Sequence, residues 1–99
     1  MRTTVRKKGD NTKNQKSVSF SLDAPEAKTV SVAGHFNHWN TTSDVMKKNK
    51  EGIWSCSVRL APGQYEYLFF VDGEWTFDPA CDCSVGNVYG SENCLIVVE

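Results

Sequence analysis

No stretch of this chain is long and apolar enough to span a bilayer, and none carries a convincing helical period. The opening residues, MRTTVRKKGD, contain no apolar run, so they read as neither a signal peptide nor a membrane span. The expected location is therefore cytoplasmic, with no membrane partner. The chain has four cysteines, Cys56, Cys81, Cys83 and Cys94. Without an export signal an even count does not argue for a disulfide framework, and free thiols in a reducing compartment are expected. Length is also limiting. A chain of 99 residues makes one domain at most, enough for a core between two layers but not for the large concave pocket of a typical enzyme.

Charge of one sign is missing overall, since the formal net charge is -1, and the whole chain gives no electrostatic hint of nucleic acid. The distribution is uneven. Residues 1–16 hold six of the eleven Lys and Arg and a single acid, Asp10, a balance of +5. Residues 17–99 hold five bases and eleven acids, a balance of -6. The first segment is Lys, Asn, Thr and Gln with one Val and no period, the composition of a solvated, disordered basic tail. No aromatic is interleaved with its charges, which favours a flexible solubilising arm over a nucleic-acid contact. A hydrophobic content of 39% is low for a globular chain and fits a folded part confined to residues 17–99.

What is present is period two. Val18, Phe20 and Leu22 alternate with serines, and Val30 and Val32 alternate with Thr29 and Ser31, each pattern that of a half-buried strand. A second strand is expected over Lys28–Ala33, and a short one at Val45–Met46. Trp54, Cys56, Val58 and Leu60 form a clear amphipathic strand with Trp54 in the core. Pro62-Gly63 is a turn, and QYEYLFFV (64–71) follows, with Tyr65, Tyr67, Phe69 and Val71 on one face and Glu66, Leu68 and Phe70 on the other. Asp72-Gly73 is a type I′ hairpin signal that returns the chain into Glu74–Asp78. Pro79–Tyr89 reads as loop and Asn93–Val98 as a last strand. Short strands separated by turn signals imply an all-β, immunoglobulin-like β-sandwich of about seven to eight strands.

The organising stretch is TVSVAGHFNHWN, Thr29–Asn40. Its strand stops at Gly34, where a tight exit favours a residue without a Cβ. Phe36, Asn37 and Trp39 follow on an expected loop. Two readings stay open for Trp39: a ring that stacks on a flat apolar partner such as a pyranose, with Asn amides bonding hydroxyls, or a lid folded back on the sandwich end. Trp75, just past the Asp72-Gly73 hairpin, and Asn93 at the start of the last strand supply a second ring and an amide that would suit a run of sugar units.

Other constellations are weaker. Asp72, Glu74, Asp78 and Asp82 cluster in sequence, but the turn accounts for Asp72 and exposed strand or loop positions for the rest, so no catalytic carboxylate pair is assigned. His35 and His38 are three apart and Cys81 and Cys83 two apart, neither a usual zinc spacing, and no metal or other cofactor is expected. A contact of Cys81 or Cys83 with Cys94 is open.

The segments VAGHFNHW, GIWSCSVRLAPGQYEYLFFVDGEWTFDP and GSENCLIVV together resemble carbohydrate-binding module family 48 over residues 17–99. That family takes in glycogen-binding domains of AMP-activated protein kinase β subunits and the N-terminal early-set domains of isoamylases and branching enzymes. The resemblance implies an early-set immunoglobulin-like fold and non-catalytic binding of α-1,4-linked glucan. It places the family's ligand tryptophans on Trp39 and Trp75, its ligand asparagine on Asn93, a hydroxyl neighbour on Ser91, and an aliphatic wedge on Tyr89, where an aromatic still stacks. Asn37 joins Asn93 and Ser91 as a candidate for the 2- and 3-hydroxyls. One position departs from the kinase-type pattern: Leu68 stands where that pattern has a lysine that donates to sugar hydroxyls. Lys47 or Lys48 is a candidate replacement. The expected partner is an α-glucan polysaccharide or oligosaccharide and, behind it, a glycogen-metabolising enzyme. The rival expectation is a structural or protein-interaction early-set domain with a degraded glucan site, in which Trp39 and Trp75 form a protein contact patch. An RNA-touching role for residues 1–16 is a third, predicting steeply salt-dependent binding.

Overall fold

The computed structural model describes residues 15–99. The expected basic tail lies outside the described residues except for Gln15 and Lys16, and Lys16 already opens the first strand. Eight strands follow in order: β1 (Lys16–Asp23), β2 (Val30–Gly34), β3 (Lys47–Lys48), β4 (Ile53–Leu60), β5 (Gly63–Val71), β6 (Glu74–Thr76), β7 (Cys83–Gly86) and β8 (Glu92–Val98). One 3-10 turn, His35–Asn37, follows β2.

Two antiparallel sheets stack. The first has the order β1-β4-β3, and the second β2-β5-β8-β7 with β6 also paired to β5. The alternation seen in sequence sets their facing sides. Leu22 pairs with Trp54 and Phe20 with Cys56 in the first sheet. Val32 pairs with Phe69 in the second. Phe20, Leu22, Trp54, Val30, Val32, Met46, Tyr67, Phe69 and Cys94 make one buried cluster between the layers. Each large side chain removed from water there contributes about 1.5–3 kcal/mol. Trp54 is core as expected, and its indole N–H donates to Ala24 O at 2.9 Å.

Three expectations are corrected. All five β2 residues are buried rather than alternate ones, because the segment after the 3-10 turn runs along its edge: Val32 N donates to Asp44 O and Met46 N to Val30 O. The strand placed at Val45–Met46 sits later. Val45 forms a single bridge to Ser31 in one sheet, while Lys47 and Lys48 pair with β4 in the other. Met46 is buried at the point where the chain changes sheets. Finally, Cys83–Gly86, expected as loop, is a strand paired with β8. CSVG has too little alternation to announce itself, and it becomes a strand only because β8 offers an edge.

Gly34 is fixed by close approach, not by an unusual φ. Its φ of -173° is ordinary extended backbone, but a Cβ there would meet the Glu66 carbonyl oxygen and lie 2.8 Å from Tyr67 Cβ and 2.9 Å from Tyr67 Cα. Gly34→Ala is expected to destabilise the fold by about 1–3 kcal/mol through overpacking against the β5 backbone, measurable as a lower urea midpoint at unchanged slope.

The Asp72-Gly73 hairpin forms as the sequence signals, with positive φ of 49° and 87°. Asp72 also does a second job. Its Oδ1 accepts the backbone N–H groups of Thr29 and Lys28, each at 2.8 Å, and these bonds lower its pKa below the ordinary value. A lowered folded pKa gives stability that is present above the unfolded value, about 3.9, and is lost as pH falls through the folded one. Melting temperature is therefore expected to drop below about pH 4, with a smaller drop in Asp72→Asn, which has no charge there to lose.

Candidate carbohydrate-binding cleft

Residues Glu66, Leu68 and Phe70 of β5 alternate with the core residues Tyr67 and Phe69, so they face away from the core. The adjoining strands line up beside them. Phe70 pairs with Trp75 on β6 and Glu66 with Leu95 on β8. Val85 of β7 pairs with Asn93 of β8. The outer face of the second sheet thus becomes the floor of an open cleft of about 1060 Å³. Six of the residues singled out in the sequence line it: Trp39, Leu68, Trp75, Tyr89, Ser91 and Asn93.

Trp39 is delivered by a built turn. The 3-10 turn is followed by His38 and Trp39, both left-handed, with φ of 58° and 59°. For a bulky residue that conformation costs roughly 1–2 kcal/mol. The turn is closed by Trp39 N donating to Gly34 O at 2.9 Å. The Trp39 ring meets Trp75 edge-to-face, with centroids 5.9 Å apart and planes at 77°. His35 packs on the other edge of Trp39 at 5.8 Å. Trp75 in turn leans on Phe70 at 4.9 Å and remains half exposed, at 50%. Trp39 is therefore neither free nor a core lid: it is a half-buried ring braced by other rings.

Asn37 does not join the cleft. Its Oδ1 accepts Gly34 N–H at 3.0 Å, and its Nδ2 donates to Val32 O at 3.1 Å and Asp44 Oδ2 at 2.8 Å. Both amide protons are spent inside the loop, which corrects the expectation that Asn37 meets sugar hydroxyls. Lys47 and Lys48 are corrected likewise. They lie on the opposite sheet, where Lys48 Nζ sits 5.6 Å over the Trp54 ring and donates to Pro25 O. Asp78 is not an exposed strand or loop carboxylate but buried, accepting the Tyr67 hydroxyl at 2.6 Å and Ala80 N–H at 2.9 Å. Burial first, and that bond second, push the Tyr67 phenol up.

Five further lining residues, His35, Glu66, Gly86, Asn87 and Val88, are not among the candidates expected from the sequence. Asn87 organises the β7–β8 hairpin: its Oδ1 accepts Tyr89 N–H and Ser91 N–H, and its Nδ2 donates to Ser91 Oγ at 3.0 Å and Asn93 Oδ1 at 3.1 Å. Asn93 Nδ2 donates to Glu66 Oε1 at 3.1 Å. Glu66 N–H donates to His35 Nδ1 at 3.4 Å. The polar ladder Asn87–Asn93–Glu66 fixes the Asn93 amide and crosses the floor beneath the tryptophans. The signal for it was the period of β5, which sets Glu66 on the same face as Leu68. Val88 and Tyr89 at the hairpin tip are 91% and 88% exposed.

Among the described residues no group of three or more His, Cys, Asp and Glu is placed to hold a metal ion. His35 lies in the cleft, and Cys94 is buried in the core with Cys81 packed against it, so the two pairs are not brought together. All four cysteines are free thiols. The Cys94 thiol is pushed up to about 12 by burial first and its bond with Cys81 second.

The family model for the glycogen recognition site of AMP-activated protein kinase matches residues 17–99. The chain belongs to this family. The glycogen-recognition domain is thus a carbohydrate-binding module on an immunoglobulin-like sandwich, and the family is one of binders rather than catalysts. Among relatives, the chain is similar to the chloroplastic protein PTST homolog 2 of Arabidopsis thaliana, 39% identical over 73 residues, 74% of this chain and 13% of that protein. It is also similar to the 1,4-alpha-glucan branching enzyme GlgB of Salinibacter ruber, 41% identical over 64 residues, 63% of this chain and 10% of the enzyme. The chain thus spans only a small part of the curated relatives it matches. The maltogenic amylase of S. marinus shares the fold, with a TM-score of 0.69 at 22% identity over 86% of this chain and 14% of the amylase.

Because Asn37 shapes the turn that presents Trp39, Asn37→Ala is expected to cost about 1–3 kcal/mol and to move the Trp39 indole N–H resonance, with little change at Trp54. A ¹H–¹⁵N spectrum and a urea titration check both.

Proposed function

We propose that the cleft binds α-1,4-linked glucan, as a polysaccharide chain or a malto-oligosaccharide, without catalysis. The observation that carries this reading is the 77° angle between the Trp39 and Trp75 planes at 5.9 Å. A β-1,4 glucan is a flat ribbon, and two rings so tilted cannot both lie against it. An α-1,4 chain curves, so successive glucose faces turn, and a V-shaped pair of rings follows the turn. Stacking supplies the apolar contact. Asn93 and Ser91, held by Asn87, present amide and hydroxyl groups to the 2- and 3-hydroxyls. Tyr89 at the hairpin tip is the aromatic wedge over the chain. Leu68 widens the apolar floor where a lysine donor is expected, so the site leans on stacking, and its affinity stays modest because most of the sugar remains wet.

The family supports carbohydrate as the ligand class. The branching enzyme among the relatives is named for 1,4-alpha-glucan. For the protein as a whole, whose relatives are much longer, the domain's part is to hold glucan for an enzyme that acts on it.

The test is an NMR titration of ¹⁵N-labelled protein with maltoheptaose, with β-cyclodextrin, and with cellohexaose as control. Shifts are expected at the Trp39 and Trp75 indoles and the Asn93 amide for the first two sugars only. Trp39→Ala and Trp75→Ala are each expected to weaken binding about tenfold or more while the core resonances persist. No response to millimolar maltoheptaose would overturn the proposal and leave the half-exposed rings as a protein contact patch.

A further inference from the structure

Among the described residues, Glu66 is the only Asp or Glu that lines the cleft. Among the described residues no Lys or Arg lines the cleft. The position where a cation is expected, two residues along the same face of β5, is Leu68. His35 lines the cleft as well, its Nδ1 accepting the Glu66 backbone N–H at 3.4 Å. Glu66 itself is half-buried against the floor, with Oε1 accepting one proton of Asn93 Nδ2. Its second carboxylate oxygen takes no bond from within the described residues. Among the described residues the carboxylate therefore has an accepting oxygen to spare and no Lys or Arg beside it in the cleft.

We infer that Glu66 makes the cleft selective for uncharged glucan: it accepts hydroxyl protons from a neutral chain and repels a chain that carries phosphate. The inference rests on the glucan reading and adds to it the ligand's charge. A carboxylate accepts sugar hydroxyls more strongly than a neutral amide does, which offsets the donor lost at Leu68. The same charge opposes a phosphate monoester on a glucose bound beside it, and the low-dielectric walls formed by Trp39, Trp75 and Leu68 reduce the screening between them. Residues 17–99 add to this in the same sense, with their balance of -6.

The experiment compares maltoheptaose with maltoheptaose bearing one phosphate monoester at a 6-position. Binding is read by titration in low and high salt for the wild type, Glu66→Gln and Leu68→Lys. The readout is the ratio of the two affinities, not either one alone. The wild type is expected to prefer the neutral chain by about five- to tenfold at low salt, with the ratio shrinking at high salt. Glu66→Gln keeps an acceptor for Asn93 and is expected to bring the ratio towards one. Leu68→Lys places an ammonium beside Glu66 and is expected to lower the ratio independently. A wild type that binds both chains equally, or a ratio unmoved in Glu66→Gln, overturns the inference and leaves the glucan reading standing. A wild type that binds neither chain removes the glucan reading, and this inference with it.

Discussion

Backbone pairing to β5 is the constraint on which the rest depends. One edge of this strand carries β2, and the other carries β8 along Gly63–Tyr67 and β6 along Phe69–Val71. Tyr67 and Phe69 must fill the core while Glu66, Leu68 and Phe70 form the cleft floor, so a one-residue slip would exchange the two sets and destroy both. Gly34 is where that register is felt most sharply. The strand that leads to Trp39 has to pass so close to Glu66 and Tyr67 at Gly34 that no side chain fits between. The cleft is therefore a consequence of sheet register, and its rings are as well placed as the core is well packed.

On that floor, geometry is bought locally. Two left-handed residues in succession, His38 and Trp39, are an unfavourable way to leave a strand. The Asn37 side chain offsets the cost by tying the turn to Gly34, Val32 and Asp44. The result is a tryptophan whose backbone is fixed and whose ring is braced by His35 and Trp75. A ring so held loses little freedom on binding, which matters most in a shallow site where each contact contributes little. Across the cleft Asn87 does the corresponding work for Ser91, Tyr89 and Asn93.

Fold and cleft differ in how far they are legible in the sequence. Strands whose side chains alternate against one core could be read directly, and Trp54, Phe69 and the Asp72-Gly73 turn lie where the pattern puts them. Elements that exist only through a partner could not. CSVG is a strand because β8 has a free edge, and Lys47–Lys48 is one because β4 does. The rings of the cleft could be named from the resemblance, and the structure brings them together; their part in binding remains the proposal above. Asn37 illustrates the opposite case. An Asn in a loop beside a Trp looks like a ligand-binding amide, and only its three hydrogen bonds reveal a structural one. Asp78 was misread for the same reason: a carboxylate in a turn-rich segment is usually wet, and burial under Tyr67 depends on a contact eleven residues away in sequence.

Glu66 was visible as a face-mate of Leu68 but carried no meaning until its neighbours were known. Its significance is relational: it lies on a floor that holds no Lys or Arg among the described residues, beside an asparagine whose orientation it helps to fix, and under rings that exclude part of the solvent. A charge in that setting has less water around it than on an open sheet, so its preference for one ligand charge over another is larger than a surface acid would show. A site that leans on stacking gains most from such a device. Ring contacts hold a glucose whether or not its hydroxyls are modified, so discrimination among glucans has to come from the polar groups beside the rings. Among the described residues of the cleft, Glu66 is the one Asp or Glu placed to supply it.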